Sequence, residues 1–210
     1  MRNQTERMTV SKTRAQLIDV ARQLFAKEGV ENTTMNDIAA ASHKGRRTLY
    51  TYFKSKEEIY GAVVEQELDK LLDRMQSLTE KEISPDMKLI EMIYTRLDAI
   101  KEAVYRNGTL RANFFRDIWQ VEKVRKQFDM KERTLIRNIL AEGQEKGVFE
   151  IDNLDMTADI LHYCVKGIEV PYIRGQIGAG LDLDLRRQYV QNIVFGALRR
   201  KENNPNSIIN

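Results

Sequence analysis

Apolar residues recur along the chain at the three-and-four spacing of amphipathic helices, with no convincing alternating run to mark a strand. Ala15, Ile18, Ala21, Leu24 and Phe25 form one stripe, predicting a helix over 12–27. Ser11 is its expected N-cap, and Gly29 stands where a left-handed C-cap residue belongs. Residues 1–10 are polar and read as a flexible arm. Thr33 or Thr34 then caps a short helix over 35–41, with Asp37 at its positive end. Ser42, His43, Lys44 and Gly45 make a tight connection to a second short helix over 46–53. Ser55 can cap a long helix over 56–77, with Glu57 and Glu58 in its first turn.

The remainder reads as a helix bundle. Ser84-Pro85, a cap followed by proline at the first helical position, opens a helix to residue 105, ended by Asn107-Gly108. A shorter helix is expected over 110–119 and a longer one over 122–146, stopping at Gly147. Asn153 or Asp155 starts a helix to residue 174, with Pro171 as a kink or terminator near its end. A glycine-rich loop over 175–180 precedes a last helix over 184–200. The expected fold is therefore all-α: a helix-turn-helix domain over 1–55, a helical domain over 56–202, and a disordered polar tail over 203–210.

Composition narrows the function. Only 3 prolines and 11 glycines in 210 residues argue against a disordered or turn-rich β chain. The longest apolar run, 193–198, is far short of the ~20 residues a membrane span needs, and no apolar signal segment opens the chain. One cysteine excludes an intramolecular disulfide framework and any multi-cysteine zinc module, so the cytoplasm is the expected compartment. The formal net charge of +3 is unevenly spread: residues 1–56 hold 11 Lys and Arg against 5 Asp and Glu, and the rest of the chain is net acidic. That asymmetry points to an anionic partner for the N-terminal quarter.

Two short helices joined by a four-residue connection make a helix-turn-helix, in which the first braces the second against the DNA major groove. In the second, Leu49 and Phe53 are four apart and face the core. Arg46, Arg47, Thr48, Thr51 and Tyr52 are left for the exposed side. Arginine can take guanine bidentately and a threonine methyl can meet the thymine methyl. Tyr50 and Lys56 are better placed for phosphate, as are the backbone amides of Thr34 and Met35 at a helix start.

The runs Thr33-Thr34-Met35-Asn36-Asp37-Ile38-Ala39, Thr48-Leu49-Tyr50-Thr51-Tyr52-Phe53 and Ser55-Lys56-Glu57-Glu58-Ile59, with Ala21, Leu24, Phe25 and Gly29 upstream, strongly resemble the TetR family of bacterial repressors. The specific resemblance covers residues 12–60; beyond them the likeness is one of length and helical architecture. It implies a homodimer on a palindromic double-stranded operator, a small-molecule effector in the C-terminal domain, and phosphate contacts from Tyr50 and Lys56. The chain departs from the family pattern at the turn, where a small residue, glycine, an apolar residue and serine are replaced by Ser42, His43, Lys44 and Gly45. His43 must then accept a position that favours positive φ. Lys44 must cover the core with its stem while its ammonium reaches solvent and the DNA. Arg46 and Arg47 replace small residues and add two charges at the groove.

In the C-terminal domain, Met92, Phe114, Phe115, Trp119, His162 and Tyr163 are candidates to line an effector pocket, with simple core packing as the alternative. His162, Glu169 and Arg174 are polar on an otherwise apolar helix, as surface groups or ligand anchors, and Cys164 fits a small buried hydrophobe. Tyr189, Val190, Ile193, Val194 and Ala197 form a stripe too broad to leave exposed, suited to a four-helix dimer interface. A di-iron bundle enzyme needs a Glu-x-x-His on each of two helices, and Asp159-x-x-His162 is the one remotely similar pair. No enzyme activity, cofactor or metal is expected. A purely architectural DNA-binding protein would leave the chain beyond residue 60 without a purpose.

Overall fold

The computed structural model describes residues 2–106 and 118–198, with side chains over 12–105 and 124–198. Among the described residues every regular element is a helix: α1 (Arg2–Glu28), α2 (Met35–Ala41), α3 (Arg46–Tyr52), α4 (Lys56–Thr79), α5 (Pro85–Arg106), α6 (Ile118–Glu145), α7 (Leu154–Ile173) and α8 (Leu183–Ala197). No described helix is long and apolar enough to cross a membrane. The chain divides into two compact units, Met1–Lys70 with Glu102–Phe128, and Leu71–Lys101 with Asp129–Asn210.

In the first unit, α1 and α2 donate Leu17, Ile18, Ala21, Phe25, Ile38 and Ala39 to one buried cluster. Leu49 and Phe53 enter it from α3 and its C-cap, and Ile59, Ala62 and Val63 from the first two turns of α4. The Phe25 and Tyr60 rings meet edge to face, 5.7 Å apart. The expected arm and Ser11 cap differ from what is observed: α1 continues back to Arg2. No proline or glycine interrupts residues 2–12, and extending a formed helix costs far less than nucleating one.

In the second unit, α5 and α6 bury Leu89, Ile90, Met92, Ile93, Leu97, Leu135, Ile136, Ile139 and Leu140. Gly143 lies inside α6, where glycine is normally unfavourable. A Cβ there would collide with the Phe149 ring, so the close approach of that ring explains the glycine. The Asn153 side chain accepts from the Met156 amide, so it caps α7; that helix runs past Pro171 to Ile173. α8 opens one residue earlier than expected, capped by Asp182. The expected helix over 110–119 falls largely outside the described residues; Trp119 belongs to the first turn of α6. The tail over 203–210 also lies outside them.

The face α7 buries differs in part from the expected one. Ala158, His162, Val165 and Glu169 point inward. Met156, Ile160 and Tyr163 are 62%, 52% and 60% exposed, and Cys164 is exposed rather than buried. Polar groups at 162 and 169 can face the interior because charged partners from α5 and α6 wait there, as described below.

Candidate nucleic-acid interface

Local chemistry fixes the helix-turn-helix. Thr34 is the N-cap of α2: its hydroxyl oxygen accepts from the Asp37 amide at 3.2 Å, and its own amide donates to the Asp37 carboxylate at 2.8 Å. Hydrogen bonds from the Thr34 hydroxyl and amide hold the Asp37 carboxyl below its ordinary range. Thr33 is fully buried, and its hydroxyl donates to the Gly29 carbonyl at 2.7 Å. The Thr34 amide, expected as a phosphate donor, is therefore already engaged, which leaves the Met35 amide at that helix start.

The turn behaves as its residue types require. His43 takes φ 53°, the left-handed value expected of it, with its amide on the Ala40 carbonyl at 3.1 Å. Lys44 is half-buried and donates its amide to the Ala39 carbonyl at 3.2 Å. Gly45 is the N-cap of α3, its carbonyl accepting from the Leu49 amide.

α3 is held from beneath and open above. Leu49 is fully buried and Phe53 is almost so; the Arg14 guanidinium lies 5.2 Å from the centre of the Phe53 ring. Arg46, Arg47, Tyr50 and Thr51 are exposed, and Thr48 is half-buried. Among the described residues neither arginine makes an ion pair, so both guanidinium groups are available to an anionic partner. The Thr51 hydroxyl donates to the Arg47 carbonyl at 2.9 Å, so its proton is already used within the helix. Tyr52 differs from expectation. It packs half-buried against the core, because three residues after Leu49 it lies beside the inward face.

Lys56 is also more committed than its position implies. Its ammonium donates to the Val30 carbonyl at 2.7 Å and the Glu31 carbonyl at 3.3 Å, tying the start of α4 to the loop after α1. Ser55 caps α4 by accepting from the Glu58 amide, and the Glu58 carboxylate accepts from the Lys54 amide. The Ser55 hydroxyl holds the Glu57 carboxyl below its usual range.

Of the candidate effector residues, the three with described side chains differ in burial. Met92 is buried core, His162 is buried, and Tyr163 is on the outer surface with its ring 4.9 Å from the His162 ring. Phe114 and Phe115 lie outside the described residues, as does the side chain of Trp119. Tyr163 instead lines a surface groove with Asn153, Met156, Asp159, Ile160 and Cys164. Of the α8 stripe, Tyr189 and Ile193 are 56% and 73% exposed, Ala197 is exposed, and Val190 and Val194 are half-buried.

Sequence reasoning missed one feature. Arg96 of α5, Glu132 of α6 and His162 and Glu169 of α7 form a buried charged cluster. Arg96 is paired with both Glu132 and Glu169. Asp129 of α6 extends the cluster toward solvent, where the Lys166 ammonium holds it at 2.6 Å. The signal was partly present: His162 and Glu169, seven positions apart, share one helix face, and Asp129 precedes Glu132 by three. Asp159, three positions before His162, pairs with Arg133 at 3.0 Å.

Residues 17–63 match the family model described as bacterial regulatory proteins, tetR family. The HTH-type transcriptional repressor KstR2 of Mycolicibacterium smegmatis is 26% identical over 195 residues, spanning 90% of this chain and 92% of that repressor. A transcriptional regulator of the TetR/AcrR family from Thermobifida fusca has the same fold, with a TM-score of 0.68 and 21% identity over 89% of this chain and 98% of that one. So does the transcriptional regulator FadR of Bacillus subtilis, solved in complex with stearoyl-CoA, with a TM-score of 0.61 and 17% identity over 86% and 96% of the two chains. Residues 17–63 are thus a helix-turn-helix domain of the TetR family, with its arginines exposed, and the likeness to transcriptional regulators of that family continues through the second unit.

Proposed function

We propose that this regulator is a cytoplasmic repressor that binds a palindromic operator as a homodimer and is released by a small-molecule effector held in its C-terminal part. The observation that carries the reading is α3 itself: a short helix locked to the core by Leu49 and Phe53, with unpaired Arg46 and Arg47 at its exposed start. The N-terminal residues of a recognition helix are those that meet base edges. Arg46, Arg47, Thr48 and Thr51 are assigned to bases. Tyr50, Lys44 and the remaining N–H of Lys56 are assigned to phosphate, with the Met35 amide at the start of α2. Tyr52 is assigned to the edge of this surface, its ring against the core and its hydroxyl toward the DNA.

One seven-residue helix reads few bases, so two copies about 34 Å apart, one turn of DNA, are needed for useful specificity. The apolar outer faces of α7 and α8, from Met156 through Tyr163 and from Tyr189 through Ile193, support a symmetric partner there. Effector release is then a population shift. A ligand that favours one spacing of the two α3 helices weakens DNA binding by the factor with which DNA weakens ligand binding. α4, continuous from the first unit into the second, is the assigned transmission element.

Arg47→Ala tests the base assignment. Anisotropy titration is expected to show operator affinity weakened by ~1–3 kcal/mol with one base position relaxed. An equal loss on operator and random duplex would make Arg47 a phosphate contact.

A further inference from the structure

α1 meets the helix-turn-helix at two points. The Gln16 side-chain amide reaches the carbonyl of Ser42, the C-cap of α2, at 3.5 Å. Two positions earlier, the Arg14 guanidinium lies over the ring of Phe53, the C-cap of α3, 5.2 Å from its centre. Phe53 is buried beneath it, while Arg14 itself is exposed. A lid for a buried ring needs only an apolar stem. A guanidinium adds a charge, and here nothing answers it. The helical neighbours three and four positions away are Val10, Ser11, Leu17 and Ile18, none of them acidic. Among the described residues Arg14 makes no ion pair, whereas Arg22, further along α1, is held by Asp19 at 2.7 Å. The positive charge continues outward: α1 extends back to Arg2, and positions 2–14 hold Arg2, Arg7, Lys12 and Arg14 against Glu6 alone.

We propose, resting on α3 as the helix that enters the major groove, that Arg14 is a further DNA-contacting residue, donating to a backbone phosphate beside the C-terminal end of α3. A helix with its side chains is ~10–12 Å across and the major groove is ~12 Å wide. A seated helix therefore fills the groove, and the groups that flank it meet the phosphate walls. Arg14 flanks the end of α3 and Lys44 precedes its start, so the two cations stand at opposite ends of the reading helix. Anchors placed so fix the register of α3 along the duplex, which is what phosphate contacts do for base readers. Arginine suits the position better than lysine. Its planar face rests on the Phe53 ring while its N–H edges remain free to meet phosphate oxygens in a fork.

The test uses the full chain and a labelled random-sequence duplex, because a phosphate contact carries no base preference. Anisotropy titrations over a range of salt concentrations read both the affinity and its salt slope. Arg14→Met keeps a stem to cover Phe53 and removes the charge, so its unfolding temperature is expected to stay close to the parent's. It is expected to bind about tenfold more weakly near 0.1 M salt and to lose about 0.9 of slope per chain, the share of one phosphate. Arg14→Gln, a second neutral variant, is expected to lose the same slope. Arg14→Lys, which keeps the charge, is expected to retain it. The proposal is overturned if the neutral variants bind with the parent's affinity and slope. It is also overturned if Arg14→Lys loses as much slope as Arg14→Met, which would trace the effect to the packing of Phe53. A parent that binds no duplex at low salt would remove the groove reading of α3 and this contact with it. A parent that binds, with neutral variants that bind equally well, would remove the Arg14 contact alone.

Discussion

A side chain can reach into a groove only if its backbone is fixed from the other side, and at Lys56 the two demands meet in one residue. Its ammonium already bridges the carbonyls of Val30 and Glu31, so it is part of the scaffold that holds the start of α4 against the loop after α1. Lys56→Ala is expected to have two effects. Thermal denaturation should show a stability loss of about 1.5–3 kcal/mol, the range for hydrogen bonds involving a charged group. Operator and random DNA should both be bound more weakly, with the salt dependence flattened by about one phosphate. A variant with full stability and lost affinity would make Lys56 a pure DNA contact. Residues of this kind are half legible in a sequence. The cap at Thr34, the left-handed His43 and the inward Leu49 follow from residue type and spacing. The second use of Lys56 depends on a carbonyl 26 positions away, which no local pattern encodes.

At the scale of elements, boundaries set by caps and by proline were readable, and the facing of α7 was not. Thr34, Ser55, Pro85 and Asn153 mark helix starts through chemistry within three residues of themselves. Which side of α7 is buried depends on Arg96 and Glu132, supplied by other helices, so a polar His162 reads as outward until those partners are known. A smaller polar link gives a pH prediction. Glu142 accepts from Lys146 at 2.7 Å and from Lys88, itself only 8% exposed, at 2.9 Å; the Lys146 bond is the larger cause of its lowered carboxyl pKa. A carboxyl depressed in the folded state contributes stability above the unfolded value of ~4.3, and that contribution is lost as pH falls through the folded value. Glu142→Gln is therefore expected to lower the unfolding free energy at neutral pH by about 1–3 kcal/mol. The difference from the parent should shrink as pH drops below about 4. A constant difference across that window would assign the loss to packing.

For the whole molecule, the weight of the account lies on pairing. Ile193 is 73% exposed in the single chain, so replacing it should cost a monomer almost nothing. Ile193→Asp in a symmetric helical interface places two carboxylates in an apolar contact. Sedimentation is expected to show the parent as a dimer and the variant as a folded monomer with much weaker operator binding. A parent that sediments as a monomer at micromolar concentration would remove the interface. The likeness to TetR regulators was readable from the first 60 residues because a DNA groove imposes one geometry on its readers, whereas no such shared surface constrains the second unit. The most direct measurement is selection of bound duplexes from a random library by the purified full chain at low salt. The account predicts enrichment of an inverted repeat whose half-site centres lie about one helical turn apart, with one position per half-site relaxed in Arg47→Ala. Enrichment of no motif, or of a single half-site without symmetry, would contradict it.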